Sequence, residues 1–113
     1  MRILFVCSQN RLRSPTAEAV FASYDGLEVL SAGVNADAIT PVSRDLIEWA
    51  EIVFAMENYH RNKLRQRFGK LLDERRMVVL GVRDDYKYMD PELVEILKSR
   101  VSPHLAGVRD NNQ

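Results

Sequence analysis

Ile3-Leu4-Phe5-Val6-Cys7-Ser8-Gln9-Asn10-Arg11-Leu12-Arg13-Ser14-Pro15 runs from an unbroken apolar stretch, through a polar loop, into a helix start. The apolar run predicts a buried strand over residues 2–6. Pro15 suits the first turn of a helix, where its missing N–H costs nothing. The chain's only cysteine, Cys7, sits where the strand ends, with Arg13 at the entry to the helix. A thiol at that place faces backbone N–H groups and the positive end of a helix dipole, and both favour the thiolate. Arg13 adds a planar fork of donors suited to a tetrahedral oxyanion. Asn10 tolerates the left-handed conformation a tight loop requires and can hydrogen-bond to hold it. The Ser14 hydroxyl can accept from nearby N–H groups or donate to Cys7.

Nucleophile, anion cradle and charge clamp in one loop imply cysteine-dependent phosphatase chemistry. A phosphate monoester dianion needs converging N–H donors, which the segment Ser8-Gln9-Asn10-Arg11-Leu12 would supply from its backbone. Attack by Cys7 gives a phosphocysteine that water then hydrolyses. Arg13 steadies the charge of the transition state. The competing reading is a small buried cysteine beside an ordinary arginine. The full string, from apolar run through Asn10 and Arg13-Ser14-Pro15 to Ala17-Glu18-Ala19, is too demanding for that.

The same string resembles the low-molecular-weight protein tyrosine phosphatase family. Three further stretches carry the resemblance: Ser31-Ala32-Gly33 after Leu27-Glu28-Val29-Leu30; Ile52-Val53-Phe54-Ala55-Met56-Glu57; and Met77 to Val82. They look like the family's second, third and fourth strands, so the likeness spans most of residues 1–107. It implies a phosphomonoester hydrolase, acting most plausibly on protein phosphotyrosine, and an acid aspartate on a loop after the last strand. The family normally follows that aspartate with proline and an aromatic residue. Here the segment reads Val82-Arg83-Asp84-Asp85-Tyr86-Lys87-Tyr88-Met89-Asp90-Pro91-Glu92. Asp84 follows the strand directly, Asp85 stands at the usual proline position, and Tyr86 falls where a pocket wall is expected. Asp90-Pro91-Glu92 reads as a helix start, with Asp90 as N-cap. Asp84 is therefore the expected acid, with Asp85 and Asp90 the competitors.

Bulk properties bound the rest. The 113 residues suit one domain, expected over residues 1–107, with 108–113 a polar, flexible tail. Sixteen basic and sixteen acidic residues cancel, so no global field steers the chain to nucleic acid or an anionic membrane. The basic residues of 61–67 and Arg75-Arg76 read as solvated faces. A lone cysteine forms no internal disulfide and fits a cytoplasmic setting. No stretch approaches the ~20 apolar residues of a membrane span. His60 and His104 lie too far from each other and from Cys7 in sequence to suggest a metal site. No cofactor is implied, because thiolate, arginine and amides already supply the charge. The partner expected is a phosphorylated protein or small aryl phosphate; the oligomeric state stays open, with a monomer favoured.

Strand and helix alternate, which predicts a three-layer α/β/α fold on a four-stranded parallel sheet. Strands are expected near 2–6, 27–31, 51–56 and 77–82. Helices are expected near 15–24, from Thr40-Pro41-Val42-Ser43 to Trp49, at 58–68 closed by Gly69, and at 91–100. Trp49 reads as core.

Three departures from the family pattern matter. The segment between Gly33 and Trp49 is short, which lowers one wall of the cleft. Leu12 replaces a second cysteine that many members carry beside the loop arginine. Arg11 stands where a smaller or apolar residue is usual. A cation there favours phosphotyrosine flanked by acidic residues and disfavours phosphoarginine, unless Arg11 points to solvent or pairs with Asp84 or Asp85. Two rival functions remain: an arsenate reductase relying on an external thiol, since no second cysteine exists for an internal relay, and a catalytically idle phosphate- or phosphoprotein-binding module.

Overall fold

The computed structural model describes residues 1–105; the expected tail, and the end of the expected domain at 107, lie outside them. Four strands form one parallel sheet: β1 (Arg2–Cys7), β2 (Glu28–Gly33), β3 (Ile52–Ala55) and β4 (Arg76–Val79), in the spatial order β2-β1-β3-β4. Register pairs Cys7 with Gly33 on one side of β1 and Val6 with Ala55 on the other. The four expected strands are thus present, and the fold is the three-layer α/β/α expected.

Side-chain alternation along β1 assigns the two cores. Ile3, Phe5 and Cys7 join the cluster beneath α1 (Arg13–Phe21) and α4 (Pro91–Val101). Leu4 and Val6 join the opposite cluster, beneath α2 (Arg44–Trp49) and α3 (Asn58–Asp73). Because β1 is buried on both faces it reads as a continuous apolar run, as parallel-sheet strands do. Trp49 is half-buried against the second cluster. Among the described residues, no helix is long and apolar enough to cross a membrane.

Several boundaries differ from expectation: β2 runs to Gly33 rather than 31, α2 starts at Arg44 rather than Thr40, and β4 ends at Val79 rather than 82, so Asp84 stands on a loop and does not follow the strand directly. α1 begins at Arg13 and ends at Phe21, so it lies earlier than the predicted 15–24. α3 does not stop at Gly69: the chain kinks there (φ 40°, ψ −115°) and resumes to Asp73. Glycine tolerates that backbone, and the last turn continues because it seats the buried Leu72 against the second core.

From the centre of the sheet, the chain leaves β1 for β2 on one side and enters β3 on the other. The carboxyl end of β1 is therefore a topological switch point, where open α/β sheets place their ligand crevice. Cys7 ends that strand.

Candidate active site

The loop from Ser8 to Leu12 turns its carbonyls away and its amides inward. Cys7, Ser8 and Gln9 carbonyls accept from the N–H groups of Val34 (2.9 Å), Asn35 (3.1 Å) and Ile39 (3.0 Å). In a planar trans peptide the next N–H points the opposite way. Correspondingly, no hydrogen bond among the described residues uses the backbone N–H of any residue from Ser8 to Ser14. Unpaired, partly buried N–H groups at a helix N-terminus are the donors an oxyanion needs. The short segment after β2 thus forms the brace that sets the loop's polarity.

Close approach makes this possible. A Cβ on Gly33 would lie 2.5 Å from the Ser8 carbonyl oxygen and 3.0 Å from Asn10 N, so only glycine lets the strand meet the loop. Asn10 adopts φ 57°, the left-handed conformation expected of it. Its side-chain amide is buried and donates to Ser14 Oγ (2.9 Å) and Ser31 Oγ (2.9 Å). Ser31 in turn donates to Glu18 Oε1. Ser14 Oγ, which accepts from Asn10, lies 2.9 Å from Cys7 Sγ and 3.4 Å from the Ala32 carbonyl oxygen; toward a thiolate, which has no proton of its own, the Ser14 hydroxyl is the donor. A chain of fixed donors therefore ends at the sulfur.

Arg13 is buried but for 3 % of its surface. Its Nη1 donates to the Val82 carbonyl oxygen (2.9 Å) and pairs with Glu57 Oε1. Its Nε lies 3.6 Å from Asp84 Oδ1. A buried guanidinium with a carboxylate and a carbonyl holding its far edge is fixed in one orientation. Cys7, Ser8, Gln9, Arg11, Leu12, Arg13 and Asp84 line one cavity of about 110 Å³. The nucleophile, the clamp and the acid expected from the sequence therefore share a single small pocket.

The other aspartates separate from it. Asp85 pairs with Arg83 at 2.8 Å in solvent. Asp90 caps α4, its Oδ1 accepting from Glu92 N at 2.9 Å with Pro91 at N1. Tyr86 corrects an expectation: it does not line the cavity of Cys7, but packs half-buried against the α1/α4 core and lines a separate recess with Val82 and Ile96. After Asp85 the polypeptide is tied to α1, where Met89 N donates to Thr16 Oγ1 at 3.0 Å. Arg11 is exposed at that mouth and, among the described residues, makes no ion pair; Asp84 faces Arg13 and Asp85 faces Arg83 instead.

Two side chains of the site escaped the sequence reading. Glu57, the acidic residue ending Met56-Glu57, holds Arg13. His60 sits in the first turn of α3, buried, with Nε2 2.9 Å from Ser8 Oγ and Nδ1 3.0 Å from Glu57 N. Burial foremost, then the nearby Arg13 charge, lowers its pKa from 6.5 to about 4. The Met-acidic pair that follows β3 was the available signal for Glu57; nothing local in the sequence ties His60 to Ser8.

The chain is similar to known phosphatases in sequence and in fold. A family model for low molecular weight phosphotyrosine protein phosphatase matches residues 2–51. The chain is 33% identical to a protein-arginine-phosphatase of Bacillus subtilis (strain 168), over 66% of this chain and 67% of that one. It is 31% identical to a protein-arginine-phosphatase of Geobacillus stearothermophilus, over 65% of this chain and 66% of the relative. The chain thus spans about two thirds of the length of the curated relatives it matches. The solved structure of the YwlE arginine phosphatase from Geobacillus stearothermophilus superposes with a TM-score of 0.72 at 26% identity, covering 92% of both chains.

Proposed function

The chain belongs to the low-molecular-weight phosphotyrosine protein phosphatase family, that is, to the cysteine-based phosphatases, and from that premise we propose that it dephosphorylates phosphotyrosine in proteins, with Cys7 as nucleophile, Arg13 as clamp and Asp84 as acid. The observation that carries the roles is the shared cavity of Cys7, Arg13 and Asp84. In the first step the Cys7 sulfur forms a bond to phosphorus as the bond to the tyrosyl oxygen breaks. Asp84 gives its proton to that leaving oxygen. In the second, water attacks phosphorus, Asp84 takes a proton from it, and the phosphorus–sulfur bond breaks to return the thiolate. The loop amides and Arg13 hold the three equatorial oxygens throughout. The Ser14 hydroxyl donates to the sulfur when it is the leaving group.

Arg11 supports the aryl phosphate. A cation at the mouth with no ion pair among the described residues attracts a phosphotyrosine with acidic neighbours and repels the guanidinium of phosphoarginine. The second reading is phosphoarginine, favoured by the names of the curated relatives. Peptides of one sequence carrying either modification decide between them by kcat/KM. Phosphotyrosine should be preferred, and Arg11→Gln should narrow the preference. A phosphoarginine preference that Arg11→Gln leaves unchanged would overturn the substrate assignment. The setting we infer is the cytoplasm, where the single thiol stays reduced.

A further inference from the structure

The geometry points to His60 as a positioning residue that acts through Ser8: its Nε2–H donates to Ser8 Oγ and thereby aims the Ser8 hydroxyl proton at a bound phosphate oxygen. The inference rests on the phosphate-binding role of the loop.

The tautomer follows from the surroundings. Nδ1 faces a backbone donor, Glu57 N, at 3.0 Å, so Nδ1 must be the acceptor. In a neutral imidazole the proton then resides on Nε2, which lies 2.9 Å from Ser8 Oγ. The lowered pKa keeps the ring neutral near pH 7 although Glu57 and Asp84 are close, since burial and Arg13 outweigh them. Ser8 Oγ therefore accepts from His60. Among the described residues its own proton has no other partner, and Ser8 lines the cavity that Cys7 and Arg13 share. A hydroxyl with one lone pair occupied and its proton unclaimed is prepared to donate to an anion.

The arrangement also joins two parts of the site. His60 and Glu57 form a reciprocal capping box at the start of α3. Glu57 then holds Arg13 while His60 holds Ser8. The cap of one helix thus orients both a side-chain clamp and a loop hydroxyl, from positions 44 and 52 residues away in sequence.

Two substitutions separate the cap from the ligand contact. In His60→Asn the amide oxygen can replace Nδ1 toward Glu57 N, but the side chain no longer reaches Ser8. In His60→Gln the amide N–H can reach Ser8, but the Nδ1 acceptor is lost. Titration calorimetry with inorganic phosphate reads the effect without turnover, so a failure of the phosphatase assignment would not mask it. We expect His60→Asn to raise the phosphate Kd by about tenfold, the loss of one charge-assisted hydrogen bond. His60→Gln should stay within about threefold of wild type while losing more thermal stability than His60→Asn. In a Ser8→Ala background, His60→Asn should add nothing further. An equal loss in both backgrounds, or Kd tracking thermal stability across the variants, would overturn the inference. So would ring nitrogen chemical shifts of the wild-type protein that place the His60 proton on Nδ1.

Discussion

At the scale of single residues, the site works by assigning each hydrogen to one direction. Asn10 donates to Ser14, and with Cys7 as thiolate the Ser14 proton is the donor of their 2.9 Å contact. Replacing Ser14 by alanine removes that donor and leaves an Asn10 N–H without its partner; kcat toward p-nitrophenyl phosphate should fall at least about tenfold. Asp84 is tested differently. Asp84→Asn should cost about a hundredfold with an alkyl or unactivated aryl phosphate and far less with p-nitrophenyl phosphate, because a good leaving group needs little protonation. A flat loss across leaving groups would remove Asp84 from the acid role. Cys7, Asn10 and Arg13 were legible because their chemistry is local: one loop, one left-handed residue, one helix start. Glu57 and His60 were not, because each meets the loop across more than forty residues of chain, and sequence spacing carries no record of such contacts. Tyr86 misled for a related reason. Its position after Asp84 suggested a wall, but it packs against the core beneath α1 and α4, a contact its local sequence does not reveal.

Among the elements, the strands themselves were written in the apolar runs, while their order in the sheet and the loop's polarity were not. Period and length were enough to find four strands, since parallel strands buried on both faces stay apolar throughout. That Val34, Asn35 and Ile39 would brace the loop needed the register of β2 against β1. Gly33 is the residue on which the brace depends. Gly33→Ala would force Ser8 and Asn10 to move, so it should destabilise the fold by about 1–3 kcal/mol and weaken phosphate binding together. The start of α3 predicts a pH dependence. His60 has a folded pKa of about 4 against 6.5 unfolded, so between those values the unfolded chain takes a proton that the folded one refuses. Stability is full above about pH 6.5 and is lost as pH falls toward 4, by up to about 3 kcal/mol for this group. Urea unfolding of wild type and His60→Gln across that window should show the slope reduced in the variant. The kink at Gly69 taught the reverse lesson about elements. A glycine that reads as a helix end is passed over when the next turn has a core position to fill.

For the whole molecule, the two cores and the crevice at the strands' carboxyl ends follow from the strand order: β1 inside the sheet, its neighbours reached in opposite directions, its last residue Cys7, the proposed nucleophile. A single cysteine in a chain of this length has a redox consequence. Oxidised Cys7 finds no second thiol in its own chain, so peroxide should carry it past sulfenic acid. Activity recovered by dithiothreitol should therefore decline steadily with exposure time; complete recovery after long exposure would contradict this. The proposed mechanism requires that Cys7 carry the phosphoryl group. Acid-quenched single turnovers of p-nitrophenyl phosphate, followed by mass analysis of the peptide bearing Cys7, test it most directly. We expect a transient phosphoryl adduct on Cys7, more abundant when water attack is slowed in Asp84→Asn, and no turnover in Cys7→Ala. Steady turnover with Cys7 never modified, or activity retained in Cys7→Ala, would contradict it.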